Sequence, residues 1–137
     1  MRGTVNRACL CGMLLIFARS VCAGEADVLG ADVHCNGESV CRFSVTVRHA
    51  DEGREHFADR WEILDTRGNM IAVREPAHPH GNEQPFTRSL DNVTVPDGVT
   101  RVVIRVHDSV HQYGGRELVV DLRDIRGTPG SMDTSAR

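Results

Sequence analysis

The chain contains no lysine, so all 16 of its basic residues are arginine, set against 19 acidic ones. Its formal net charge is −3. Nucleic acids and anionic membrane surfaces are bound through an excess of positive charge, so both partner classes are excluded. Aromatic residues make up only 4% of the chain. Phe43, Phe57, Trp61, Phe86 and Tyr113 are too few and too scattered to form a stacking platform for single-stranded nucleic acid. No apolar run is long enough to span a bilayer, which excludes membrane insertion once an export signal is removed. The sequence also lacks GxSxG, HExxH and a phosphate-cradling glycine loop. No catalytic residues are assigned, and a redox metal centre is the one enzymatic reading left open.

What is present begins with an export signal. Arg2 and Arg7 precede an apolar stretch at 8–18, and Val21-Cys22-Ala23 supplies a cleavage site after Ala23. Lipid attachment at Cys22 is disfavoured, because Arg19-Ser20-Val21 is a poor lead-in. The expected organisation is a signal peptide at 1–23, one domain at 24–123 and a frayed polar tail at 124–137. A periplasmic or secreted location follows. Cleavage removes Arg2, Arg7 and Arg19 but no acidic residue, leaving 13 arginines against 19 acids, or −6.

Of five cysteines, Cys9, Cys11 and Cys22 leave with the signal. Cys35 and Cys41 remain, flanking the turn-like Asn36-Gly37-Glu38-Ser39. An even pair in an oxidising compartment reads as a disulfide, and the spacing is not that of a CxxC redox motif.

The mature sequence alternates like strands. Cys41, Phe43, Val45 and Val47 fall on one face, with Arg42, Ser44, Thr46 and Arg48 on the other. The runs at 101–108 and 118–122 repeat the pattern. Further strands are expected at 28–34, 61–64, 70–73 and 86–95, the last with a bulge near Asp91-Asn92. About seven short strands predict an all-β fold: an immunoglobulin/fibronectin-III-like antiparallel sandwich with Trp61 as a core anchor. Successive strands reverse direction, so alternate connections share an end. Tight turns at 36–39, 66–69 and 96–98 mark one end. Long loops at 50–59, 75–85 and 107–115 mark the other.

Six of the seven histidines lie in or at the lip of those long loops. His49, His56, His78, His80 and His111 are the candidate metal ligands, with Asp108 ordering the last loop. His107 has outward strand parity, and His34 sits at the opposite end. Imidazoles among carboxylates, with no mature thiol nearby, suit Cu(II), Zn(II), Ni(II) or non-haem iron. The competing reading is a metal-free module in which Gln84, Phe86 and Tyr113 contact an exported protein partner. A third reading is a loop end that gains charge in acid.

The segment at 49–64, HADEGREHFADRWEIL, resembles the iron-ligand loop of superoxide reductases, which are immunoglobulin-like. That resemblance implies His49 and His56 as ligands. The family's closing cysteine–histidine motif has no counterpart, since the last loop reads His107-Asp-Ser-Val-His111. The wider run at 47–122, with VRHADEG, ADRWEILD, HPHGNEQPFTRSL and HDSVHQYGG, is similar to small exported bacterial proteins of uncharacterised function. It implies export and a compact sandwich.

Overall fold

The computed structural model describes residues 24–75, 78–81 and 83–126. The expected signal peptide, and the expected tail beyond residue 126, lie outside the described residues. Seven strands follow in order: β1 (Asp27–Cys35), β2 (Val40–Arg48), β3 (Ala58–Asp65), β4 (Met70–Arg74), β5 (Phe86–Thr94), β6 (Arg101–Asp108) and β7 (Leu118–Asp121). They form two antiparallel sheets, ordered β1-β2-β5 and β4-β3-β6-β7. The all-β sandwich expected from the strand pattern is the observed fold.

Side-chain alternation decides which face of each strand is covered. Phe43, Val45 and Val47 of β2 are buried, as are Trp61 and Ile63 of β3 and Val102, Ile104 and Val106 of β6. These residues belong to one core cluster between the sheets. Removing a side chain the size of Phe43 or Ile104 from water stabilises the fold by about 2–3 kcal/mol.

Two irregularities were legible in advance. Cys41 pairs with Val93 and Phe43 pairs with Leu90, so Asp91 and Asn92 together oppose Arg42. This is the expected bulge. Asn92 takes φ 58°, a conformation asparagine tolerates. Cys35 and Cys41 are cross-strand partners at the end of the β1–β2 hairpin and form the expected disulfide.

The last described residues differ from expectation. Residues Arg123–Arg126 form a single helical turn, α1, which takes in the first three residues of the stretch expected to fray from 124 onward. Ile125 packs against the core cluster, which gives this turn an apolar anchor.

The first described residues are pinned as well. Ala26 is fully buried. Val28 N–H donates to the Arg116 carbonyl, and Arg116 N–H donates to Asp27 Oδ1. A Cβ on Gly115 would lie 1.8 Å from the Ala26 carbonyl oxygen, so only glycine lets the two backbones pass. This seats residue 24 over the long-loop end.

Candidate metal centre

His49 continues the inward parity of β2 one step past Arg48, and it is 1% exposed. Its backbone N–H donates to Gln84 Oε1 at 2.9 Å. Its Nδ1 lies 2.5 Å from Asp51 Oδ1. The Asp51 side chain is fully buried. Asp51 Oδ1 also accepts from Ala58 N–H at 3.1 Å, and its Oδ2 accepts from His80 N–H at 2.6 Å. Asp51 therefore fixes the orientation of the His49 ring and leaves Nε2 facing the Gly24 carbonyl oxygen. A carboxylate orienting a ligand histidine is a recurrent feature of metal sites.

His56 comes from the loop between β2 and β3. Its ring meets that of His49 edge-on, with centroids 4.8 Å apart. Its Nε2 lies 3.2 Å from His111 Nδ1 and 3.5 Å from Asp108 Oδ1. His111 Nδ1 is in turn 3.3 Å from Asp108 Oδ1. His49, His56 and Asp108 each offer a ligand atom within 4.8 Å of the others.

Asp108 ends β6 with its side chain buried. Its Oδ1 accepts from the backbone N–H groups of Val110 and His111, at 2.9 and 2.6 Å. These bonds shape the start of the last loop, while Oδ2 is buried without a hydrogen-bond partner. Burial pushes this carboxyl's pKa up. The His111 and Val110 N–H groups, with the charges of His111 and His49, outweigh burial and hold it below the ordinary aspartate value.

The other candidate ligands lie elsewhere. His80 is buried against Phe86, with ring centroids 4.2 Å apart. Its Nδ1 is 3.1 Å from Glu83 Oε2 and 3.2 Å from Arg88 Nη2. His78 is exposed and touches the ring of His80. Neither belongs to the group formed by His49, His56 and Asp108. His107 faces outward as its parity predicts, bonded to Asp59 at 2.6 Å and packed on Tyr113.

The expected contact surface needs correction. Phe86 is 3% exposed and belongs to the core, because β5 turns it inward. Gln84 bridges His49 N–H and the His80 carbonyl, which ties two loops together. Tyr113 is half-buried and donates to Glu62 Oε1 at 2.6 Å, beneath the Arg105 guanidinium. Glu62 also takes Arg60 and Arg105 as ion-pair partners.

Sequence reasoning missed two participants. The His-x-Asp spacing at 49–51, placed just after an inward-facing strand, was an available sign of Asp51. Gly24 had no such sign. Its carbonyl oxygen lies 2.8 Å from His49 Nε2 and 3.2 Å from His56 Nε2.

One comparison connects the chain to a known protein. It is 41% identical over 97 residues to a protein of Halomicrobium mukohataei described as a proposed lipoprotein. The match covers 71% of this chain and 47% of that relative, so the chain spans about half the length of the curated relative it matches. No family model and no solved structure matches the chain. Among the described residues, no helix is long and apolar enough to cross a membrane.

Proposed function

We propose that this chain is an exported cell-envelope protein whose immunoglobulin/fibronectin-III-like sandwich binds a divalent metal ion. His49, His56, His111 and Asp108 are the ligands, and Asp51 orients His49. The observation that carries this reading is the triangle of His56 Nε2, His111 Nδ1 and Asp108 Oδ1, with edges of 3.2, 3.3 and 3.5 Å. Donors about 2.0–2.1 Å from a tetrahedral ion lie roughly 3.3 Å apart. The triangle therefore already has the dimensions of one face of such a coordination shell. His49 approaches from the core side, its ring oriented by Asp51.

Imidazole nitrogens and a carboxylate, without thiolate or thioether, suit Cu(II), Zn(II), Ni(II) or non-haem iron. Export is supported by the charged and apolar segments at 1–23 and by the description of the relative as a proposed lipoprotein. His78 and His80 are left out of the ligand set. His80 has Glu83, Arg88 and Phe86 around it, and His78 faces solvent.

The test is metal analysis of untagged full-length protein, followed by titration with Zn(II), Cu(II), Ni(II) and Fe(II). One equivalent of at least one of these ions binds, and His56→Ala removes that binding. Wild-type protein that takes up none of the four retires the reading.

A further inference from the structure

The carbonyl oxygen of Gly24 is held against two imidazoles of the centre, 2.8 Å from His49 Nε2 and 3.2 Å from His56 Nε2. A peptide oxygen only accepts hydrogen bonds. Donor atoms about 2.0–2.1 Å from one ion lie roughly 3 Å from each other. Both separations match that spacing, so this oxygen stands where a further atom of the same coordination shell would stand.

The strap that carries this oxygen is built rather than incidental. Ala26 is buried, and Gly115 leaves room for its carbonyl. Arg116 binds the Val28 and Leu29 carbonyls through its guanidinium, at 3.0 and 3.2 Å. Residue 24 itself admits only glycine. Its φ is +127°, and a Cβ would lie 2.8 Å from His111 Cε1 and 3.4 Å from His56 Cε1.

We propose that the Gly24 peptide oxygen is a ligand of the metal centre and that the strap at 24–28 closes the site. The donor set becomes imidazole nitrogens with two kinds of oxygen, one anionic and one neutral. This inference rests on the metal reading above, and it adds a segment far in sequence from the two histidine loops.

The test labels full-length protein with carbonyl-13C glycine and 15N glutamate. Only Gly24-Glu25 and Gly37-Glu38 then give a linked carbon–nitrogen signal. One equivalent of Zn(II) shifts the Gly24-Glu25 signal and leaves Gly37-Glu38 in place. In parallel, Gly24→Ala weakens Zn(II) binding at least tenfold. Gly30→Ala, at a position with no atom within 4 Å of the added Cβ, leaves it unchanged. Histidine ring signals that shift with zinc while Gly24-Glu25 stays still overturn this inference alone. Zinc that moves neither signal overturns this inference, and uptake of none of Zn(II), Cu(II), Ni(II) and Fe(II) overturns the metal reading with it. The labelled wild-type protein decides the question even where Gly24→Ala fails to fold.

Discussion

Asp51 Oδ1 sits 2.5 Å from His49 Nδ1, and both side chains are fully buried. The contact orients the His49 ring and sets its Nε2 against the Gly24 carbonyl oxygen. The same carboxylate holds the backbone of His80 and of Ala58, so one side chain ties three segments together. Asp51→Asn keeps the size but replaces one carboxylate oxygen with an amide NH2, which cannot accept. Its metal affinity falls about 10–100-fold, as for other partners that orient metal-bound histidines. Calorimetric titration with Zn(II) checks this; wild-type affinity in a folded variant would remove Asp51 from the centre.

The ligand assignment separates histidines that look alike in the sequence. His56→Ala and Asp108→Asn each break the triangle and lower Zn(II) affinity by roughly two orders of magnitude or more, consistent with losing one of a few bonds to the ion. His78→Ala leaves affinity within about twofold, because that ring is exposed and outside the group. Equal losses at His56 and His78 would place the ion elsewhere.

Glu62 gives the fold an acid-sensitive element. Burial raises its pKa, but the Tyr113 hydroxyl and the Arg105 and Arg60 guanidinium groups outweigh burial and bring it below the ordinary glutamate value. A depressed carboxylate contributes stability that is present above the unfolded pKa of about 4.3 and lost as pH falls through the folded one. Glu62→Gln therefore destabilises the protein at pH 7 by about 1.5–3 kcal/mol, the range for bonds to charged groups. The gap between variant and wild type narrows as pH falls below about 4. Urea melts at several pH values measure it, and a gap independent of pH contradicts the assignment.

The Cys35–Cys41 bridge closes a short loop, with a sequence separation of 6. Loop entropy gives it about 2 kcal/mol of stabilisation. A Cys35→Ala/Cys41→Ala variant melts lower by that amount and binds Zn(II) as the wild type does, since the hairpin turn lies at the opposite end from the centre. A parallel loss of metal affinity would show that the two ends are coupled.

The sequence by itself determined the strands and the end of the sandwich that carries the long loops. Period-two alternation dictates which face of a strand can be buried, and successive antiparallel strands dictate which loops share an end. The bulge at Asp91-Asn92, the disulfide and the outward setting of His107 all follow from those local rules. The centre was only half legible, because ligand geometry depends on how loops pack and not on the period of the strands beneath them. Nothing local turns His80 onto Phe86 or leaves His78 in solvent. Nothing local brings Asp108 against His56. Phe86 was misread as surface for a related reason: which face of its strand the core covers was settled by sandwich packing. Gly24 depended most on tertiary structure. Its oxygen reaches the histidines because buried Ala26 and the missing side chain of Gly115 bring distant backbones together.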